Sequence, residues 1–317
     1  MVVMASSRRT AETLVIIGAI DMNSNTHPRR KIIFITIITI FLWASCYPLI
    51  ALSLPFSPLM FTAFLRSLVA GLFLLIIAIV LKRPFPRATK HWLLIVAIAL
   101  SATSIGFWGM FYAGSLISPG LATVLTNTQP LIAGLLGWYF LKESLNKRAI
   151  IGILVGFFGV FIISTESLLL PNSQASNGLF YALVAALGVA ISNILLKKLA
   201  NQADVFYAMG FQLLIGAIPL GLLSFYFGEL PSFQFSLAFG WILLALALLG
   251  TALPFTLWFW LMSKAPLYQL NIFSFLNPVF GLFLGYVYFS ESLSIYQYSG
   301  IAFIIFSVYL VATTQRK

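Results

Sequence analysis

The sequence predicts an all-α integral membrane protein of ten transmembrane helices, arranged as a 5+5 inverted repeat with cytoplasmic N- and C-termini. Three observations support this prediction: an apolar composition, a one-sided distribution of basic residues and an internal repeat. The composition excludes an ordinary soluble domain, because 61% of the 317 residues are hydrophobic and only 8% are charged. Soluble domains are about 45–50% apolar and about 25% charged, whereas lipid solvates an excess of apolar surface directly.

The first 30 residues are polar and mixed in charge, and we predict a disordered cytoplasmic tail over 1–30. Its apolar patch at 14–20 is too short to cross a bilayer, and no small-residue cleavage site of a signal peptide follows it. A start at Met22 fits the later pattern as well as a start at Met1.

Apolar stretches of about twenty residues alternate with short polar breaks from Lys31 onward. Each stretch is long enough to cross about 30 Å of hydrocarbon as a helix. Because the stretches that meet at 113–119 and 263–267 are nearly continuous, eight or nine spans is the alternative count. The ten predicted spans are 31–52, 57–81, 91–113, 119–141, 147–165, 177–198, 204–227, 238–263, 267–289 and 294–314.

The basic residues support that count independently of hydropathy. With the N-terminus in the cytoplasm, every Lys and Arg except Arg66 falls in an inner segment, and the outer loops contain only the acids Glu166, Glu229 and Glu291. This asymmetry follows the positive-inside rule, and a miscounted helix would destroy it. The net charge of +11 therefore reflects membrane topology, and we expect no nucleic-acid partner.

The chain repeats itself at an offset of 148 residues. Residues 130–165 and 278–313 align without gaps and are identical at 11 of 36 positions, which is far above the level expected for this composition. We therefore predict two related halves, 31–165 and 177–314. Because five spans are an odd number, the second half must enter the membrane from the opposite side, as in many secondary transporters. The aligned pairs include Pro130 with Pro278, Gly137 with Gly285, Glu143 with Glu291 and Gly152 with Gly300.

These features resemble a known family, the EamA-type transporters of the drug/metabolite transporter superfamily. The resemblance covers 31–314 and depends on the inverted repeat, on the pattern Pro-x6-Gly-x5-Glu-x-Leu-x6-Gly at 130–152 and 278–300, and on Phe64-Leu65-Arg66 in the second span. It implies a permease, often an exporter, of small metabolites such as amino acids or related compounds, working by alternating access at the repeat interface. We expect a multi-pass protein of the plasma membrane, which in bacteria is the inner membrane.

Arg66 is the one charged residue deep within a predicted span. It lies about nine residues, or roughly 14 Å, from the outer end of the second helix. A charge at that depth costs about 2.5 kcal/mol or more, so its side chain should face the protein interior or a water-filled cavity. Two roles fit: a guanidinium that binds a substrate carboxylate bidentately, or a structural Arg that binds the carbonyls of a broken helix. Because His27 and His91 lie outside the bilayer core and no acid lies at depth, a carboxylate relay for protons is disfavoured.

Pro130 and Pro278 form a repeat-related pair within predicted spans. Each proline removes a backbone hydrogen bond and frees a carbonyl, so broken helices there would place polar backbone near the midplane and serve as hinges. The alternative is a tolerated kink in each helix. Gly137 and Gly285 each follow another small residue by four positions, which predicts close helix–helix packing.

Polar and aromatic side chains at membrane depth complete the predicted substrate site. The amides cluster beside the two prolines, and Gln212 aligns with Arg66 when the offset is reduced to 146. Interhelical hydrogen bonding is the alternative role for the amides, and lipid-facing or core packing is the alternative role for the aromatic residues. With Arg66, the substrate-binding candidates are Trp43, Tyr47, Trp108, Asn127, Gln129, Gln212, Phe275 and Asn277.

Glu143 and Glu291 follow helix ends, where each can cap the adjacent Ser or the amides of the next helix, and gating is the alternative role. Since no His, Asp or Glu lies at depth, the sequence predicts no catalytic residue, no metal site and no cofactor. The single cysteine, Cys46, excludes an intramolecular disulfide. A transporter is therefore favoured over an enzyme, and a membrane scaffold or receptor-like assembly protein is the alternative function. The expected partners are the lipid bilayer and a small-molecule substrate, for a chain that is a monomer or a homodimer.

Overall fold

The computed structural model describes residues 29–116, 125–143, 145–165, 175–229, 232–289 and 293–313. The predicted tail up to residue 28, the start of the fourth predicted span and Glu291 lie outside these ranges. Within them the regular structure is helical, without a β-strand. Eight helices of the described residues are long and apolar enough to cross a membrane, and Gln129–Leu141 is a shorter apolar helix. The eight are Arg29–Ile50, Leu59–Val80, Thr89–Ala113, Ser176–Leu199, Val205–Tyr226, Leu237–Lys264, Leu267–Val287 and Ile295–Ala312.

The helical elements fall into two stretches of the chain. The first contains α1 (Arg29–Ala44), α2 (Cys46–Ser53), α3 (Leu59–Val80), α4 (Thr89–Ile98), the π-helical segment π1 (Ala99–Ile105), α5 (Gly106–Leu116), α6 (Gln129–Leu141) and α7 (Lys147–Ile163). The second contains α8 (Ala175–Leu199), α9 (Val205–Tyr226), α10 (Leu237–Ala247), the π-helical segment π2 (Leu248–Ala252), α11 (Leu253–Lys264), α12 (Leu267–Phe273), α13 (Leu276–Phe289) and α14 (Ile295–Ala312).

Polar side chains mark where several helices begin. Asn146 caps α7 by accepting a backbone hydrogen bond, and Asp204 caps α9 in the same way. Ser294 and Gln297 form a capping box at the start of α14. Each cap satisfies backbone N–H groups that have no partner within the first turn of a helix. These residues therefore define helix ends that hydropathy alone does not locate.

Large apolar side chains cover the outside of the molecule. Leu135, Phe225 and Trp241, on three different helices, are 66%, 72% and 67% exposed. Water would make an apolar surface of this extent an aggregation site, whereas lipid tails solvate it without cost. The exposed surface therefore agrees with a membrane protein.

Two antiparallel helix pairs have the most extensive contact. α3 packs along α9, where a Cβ on Gly71 would lie 3.0 Å from the Gly210 carbonyl oxygen. α7 packs along α14, where a Cβ on Gly159 would lie 2.8 Å from the Gly300 carbonyl oxygen. In lipid, where apolar burial gives no driving force between helices, this backbone-to-backbone approach supplies the van der Waals contact.

The structure has closer backbone approaches at other glycines than at Gly137, where the sequence predicts close helix–helix packing. A Cβ added to Gly137 would meet no atom nearer than the 3.7 Å to a Leu267 methyl group, and a Cβ on Gly281, four residues before Gly285, would meet none within 4 Å. Gly285 itself is buried in α13. The spacing of small residues permits close helix contact, but close backbone approaches occur at other glycines, including Gly71, Gly109 and Gly159.

Helices are interrupted at repeat-related points. A turn at 127–128 precedes Pro130, and a turn at 274–275 separates α12 from α13 just before Pro278. The segments π1 and π2 also correspond under the offset of 148. Wider π turns are rare and concentrate at functional sites, so these interruptions mark the region between them as a candidate site.

Candidate functional site

Arg66 lies where four elements converge. Its side chain is 4% exposed on α3, and its Nε donates to Thr251 Oγ1 of π2 at 3.2 Å. The guanidinium carbon lies 4.5 Å from the ring centroid of Phe107 on α5, and the Cys46 thiol of α2 lies beside it. The hydrogen bond and the cation–π contact offset part of the cost of placing a charge inside the protein.

The π-helical turn of π2 orients the Thr251 hydroxyl for its hydrogen bond with Arg66. The Thr251 hydroxyl donates to the carbonyl of Leu246, five residues earlier, at 2.8 Å, so its oxygen is oriented to accept from Arg66. The Cys46 thiol lies 3.3 Å from the neighbouring Gly250 carbonyl. This side of the guanidinium site is therefore built from a locally widened helix, not from a loop.

Gln212 occupies the position on α9 that corresponds to Arg66 on α3. It is fully buried, and its Oε1 accepts from the Thr103 hydroxyl of π1 at 2.9 Å. Thr103 and Thr251 are 148 residues apart, which is the offset of the repeat. Thr103 and Phe107 lie one helical turn apart, so Gln212 and Arg66 contact adjacent turns of one helix.

An aromatic stripe leads away from Arg66 along one face of π2 and α11. Thr251, Phe255 and Trp258 are spaced at i, i+4 and i+7 and so share that face over about 10 Å of helix axis. The Phe255 ring lies 6.3 Å from that of Phe107 and 5.9 Å from that of Trp43. Trp43 also packs on Trp258 at 5.1 Å, which closes the stripe on the α1 side.

A cluster of amides ends the stripe. Trp258 Nε1 donates to Asn193 Oδ1 of α8 at 3.0 Å, and Asn193 Nδ2 donates to Asn271 Oδ1 of α12 at 3.1 Å. Gln129 Nε2 of α6 donates to the same Asn271 oxygen at 3.1 Å. All four side chains are at most 8% exposed, so this amide cluster connects four helices in the interior.

Two charged side chains bind the turn between α11 and α12. Lys197 Nζ donates to the carbonyls of Met262, at 2.7 Å, and Ala265. Glu143 accepts from the N–H groups of Leu267, at 2.8 Å, and Tyr268. A cation thus binds the C-terminal carbonyls of one helix and an anion the N-terminal amides of the next, as helix dipoles favour.

The capping partner of Glu143 differs from the one that sequence order suggests. Its carboxylate binds the amides of α12 in the second stretch of the chain, not those of the next helix, α7. The glutamate closes a contact between segments 124 residues apart, which no local capping rule predicts. Its repeat partner Glu291 lies outside the described residues.

The structure brings Arg66, Trp43 and Gln129 onto one continuous path and places Gln212 one helical turn from it. Trp108 lies in a different aromatic group, with its ring 5.0 Å from that of Tyr181. Phe275 is fully buried and packs against Gly156 of α7, so it belongs to the core.

The remaining candidates lie at the helix interruptions or outside the description. Asn127 is buried in the turn before α6, and Asn277 is half-buried beside Pro278. Tyr47 belongs to α2, and its side chain lies outside the described atoms.

Several residues of this path are not among the site residues that the sequence predicts. Thr103 and Thr251 had a usable signal, because two hydroxyl residues inside apolar spans correspond at the repeat offset. Asn193 and Asn271 are amides within predicted spans but lie away from the proline pair. Phe107, Phe255 and Trp258 have no distinguishing mark in a chain in which 15% of the residues are aromatic.

Comparisons with known proteins agree with this architecture. Residues 30–165 and 176–313 match the EamA-like transporter family. An uncharacterized transporter of Synechocystis sp. is 28% identical over 308 residues, which cover 92% of each chain. A chloroplastic WAT1-related protein of Arabidopsis thaliana is 27% identical over 86% of this chain and 67% of its own length. A crystal structure of 18% sequence identity has the same fold, with a TM-score of 0.78 over 89% of this chain and 98% of that one.

Proposed function

Because the chain belongs to the EamA-like transporter family, we propose that it is a secondary transporter that exports small metabolites, such as amino acids or related compounds, by alternating access between two halves. The names of the family and of its relatives indicate a transporter rather than an enzyme. The observation that supports the finer proposal is the buried guanidinium of Arg66, which bonds to a threonine of the other proposed half.

Contacts that recur at the repeat offset support two inverted halves of five spans, 31–165 and 177–314. Arg66 donates to Thr251, and Thr103 donates to Gln212, so exchanging the halves converts one contact into the other. The same exchange relates two contacts between α7 and α14. There Ser307 Oγ donates to the Gly152 carbonyl, and Gly159 meets Gly300. A two-fold axis in the membrane plane would produce such pairs.

Arg66 is the proposed anchor for a substrate carboxylate. A guanidinium binds a carboxylate through two parallel hydrogen bonds, which supplies orientation as well as energy. Its position beside an aromatic stripe offers an apolar surface for the remainder of the same molecule. The buried setting would strengthen the ion pair, since charges interact more strongly away from water.

Charge distribution supports the proposed placement in the membrane. We assign both termini to the cytoplasm of a bacterium and the protein to the inner membrane, because the basic residues collect on one side and relatives such as an uncharacterized transporter of Bacillus subtilis are bacterial. The proposed mechanism needs one chain, so a monomer and a homodimer would both function. Nothing in it involves nucleic acid.

Counterflow in proteoliposomes tests the proposal. Vesicles are loaded with one unlabelled metabolite at a time, and uptake of the same metabolite in labelled form is measured. We expect exchange for metabolites that carry a carboxylate. Arg66→Gln should raise the half-saturating concentration of such a compound by about tenfold or more, since it removes the positive charge and the paired N–H donors that bind a carboxylate. The matched control Arg87→Gln removes a charge from an exposed loop position and should leave exchange unchanged.

Two outcomes would contradict the proposal at different levels. If the wild type exchanges no metabolite, the proposed transport function is wrong and a scaffold is favoured. Full exchange with unchanged affinity in Arg66→Gln would remove the anchor role and leave transport standing.

A further inference from the structure

The indole of Trp258 fixes the orientation of every amide in the amide cluster. An indole N–H donates and cannot accept, so the Asn193 atom that faces it at 3.0 Å must be the oxygen. Asn193 then directs its nitrogen at Asn271, whose facing atom must be an oxygen in turn. Gln129 donates to that same oxygen. One donor-only group therefore removes the ambiguity that amide side chains usually have.

This orientation determines which hydrogen-bonding capacity is left over. The Asn271 oxygen receives two donors, which uses both of its lone pairs. The Asn271 nitrogen has no hydrogen-bond partner within the described part of the chain, although the side chain is only 1% exposed. The unused group is thus an N–H donor, and the three bonds behind it polarise it further.

A buried donor without an acceptor destabilises the folded state. The Asn271 oxygen has a structural use, since it accepts from Asn193 and Gln129, but no hydrogen bond in the described part of the chain accounts for the nitrogen. It lies three residues before the interruption between α12 and α13, on the contact between segments of the two proposed halves. Alternating access, as proposed above, would move these segments relative to one another.

We propose that Asn271 Nδ2 is a second substrate-binding group, which donates to a neutral or anionic acceptor oxygen of the transported molecule. The inference rests on the transport function proposed above and narrows its substrate class. Arg66 binds one end as a carboxylate, the aromatic stripe contacts an apolar middle, and Asn271 binds a carbonyl or carboxylate oxygen further along. The substrate class is therefore a carboxylate with a second acceptor oxygen, separated from the first by an apolar body.

Trp258 is the positioning residue of this site. Its N–H sets the direction of the relay, and its ring forms the end of the aromatic stripe. Without that N–H, the amides of Asn193 and Asn271 are free to reverse, which would turn an oxygen toward the substrate. Substitution of Trp258 should therefore disturb recognition of an acceptor oxygen without touching Asn271.

Matched probes test the site by binding alone. Straight-chain methyl-ketone carboxylates of increasing length are compared with alkyl carboxylates of the same length, which differ by one carbonyl oxygen. Affinity for the purified wild-type protein is measured by tryptophan fluorescence or calorimetry. We expect one length at which the ketone binds about tenfold more tightly, since one charge-free hydrogen bond in a buried site has that effect.

Variants locate the preference. Asn271→Leu should reduce the ratio of ketone to alkyl affinity to about one, and Trp258→Phe should reduce it as well while leaving Asn271 in place. Gln269→Leu, on the same helix and bonded to Tyr268, is the control that should keep the ratio. Because Trp258→Phe keeps an aromatic ring at this position and removes no hydrogen bond of Asn271, it remains informative where Asn271→Leu does not fold.

The outcomes separate this site from the transport function. A ratio near one in the wild type at every length, or an unchanged ratio in both Asn271→Leu and Trp258→Phe, would overturn the site. A preferred ketone that binds but is not exchanged in proteoliposomes would leave the site standing and contradict the proposed transport.

Discussion

At the scale of single residues, the two proposed halves have unlike side chains at corresponding positions. Arg66 and Gln212 each contact a threonine in a π-helical segment of the other proposed half, but only Arg66 is charged. The geometry of the repeat is therefore preserved while the chemistry differs. Because a carboxylate needs one cation, a single arginine suffices for the proposed anchor, and a second charge would double the insertion cost.

Valine substitution of the two threonines should separate their contributions. Thr251→Val removes the oxygen that accepts from a charged donor and should lower the free energy of unfolding by about 1.5–3 kcal/mol. Thr103→Val removes a bond between neutral groups and should cost about 1 kcal/mol. Unfolding in mixed micelles measures both, and equal losses would contradict a special role for the Arg66 contact.

Asp204 should make stability depend on pH. Burial raises the pKa of its carboxyl above the ordinary value of 3.8, although the Tyr207 N–H, the Arg83 guanidinium and the Phe206 N–H act in the opposite direction. The folded state then holds this proton to higher pH than the unfolded state, so the contribution is most favourable below pH 3.8 and is lost as pH rises through the raised pKa.

The variant Asp204→Asn isolates that contribution, because asparagine caps a helix as well as aspartate does. We expect the melting temperature of the wild type, relative to the variant, to fall as the pH rises from about 3.8 through the raised pKa. A difference that grows with pH over this range would show that the ion pair with Arg83, at 3.4 Å, dominates over burial.

At the scale of helices, stability depends on backbone contact between antiparallel pairs. Gly159 and Gly300 approach so closely that either Cβ would meet the carbonyl oxygen of the other. Burial of apolar side chains cannot replace this contact, because such a side chain gains no hydrophobic free energy by moving from lipid into a helix interface.

Alanine at two glycines should have opposite effects. Gly159→Ala forces α7 and α14 apart and should cost about 1–3 kcal/mol as overpacking. Gly240→Ala, in α10 with no atom within 4 Å of the added Cβ, should stabilise by about 0.5–1 kcal/mol through helix propensity. Unfolding of both variants tests this, and a neutral Gly159→Ala would show that the helices tolerate separation.

The turn between α11 and α12 should loosen without its acidic cap. Glu143→Ala leaves the N–H groups of Leu267 and Tyr268 unpaired and should cost about 1–2 kcal/mol. Hydrogen exchange should accelerate at these two amides, while the amides of α7 capped by Asn146 stay protected. Unchanged exchange at Leu267 would mean that Lys197 alone orders the turn.

At the scale of the whole molecule, the proposed topology can be read from the accessibility of single cysteines. In a Cys46→Ser background, Ser232→Cys lies in a proposed outer loop and Gln202→Cys in a proposed inner loop, and both positions are exposed. A membrane-impermeant thiol reagent should label Ser232→Cys in intact cells and Gln202→Cys only after permeabilisation. The reverse pattern would invert the assigned orientation and contradict cytoplasmic termini.

Much of the architecture follows from properties that each residue has by itself. Hydropathy predicts where helices cross, the positions of Lys and Arg predict orientation, and the offset of 148 residues predicts two halves, because lipid acts on every segment separately. The position of Arg66 likewise predicts that its side chain is buried in protein, since an isolated charge in an apolar span is costly however that span packs.

Only the tertiary structure decided which polar groups meet. Arg66 and Thr251 are 185 residues apart, and Gln129 and Asn271 are 142 apart. The rotation of each helix about its axis determines such pairs, and in nearly uniform apolar helices no amphipathic pattern specifies that rotation. For the same reason Glu143 caps a helix of the other proposed half, and Trp108 lies away from the path that Trp43 joins. The sequence predicts a membrane protein of two related halves with one charge inside a span, and packing determines which hydroxyls, rings and amides meet.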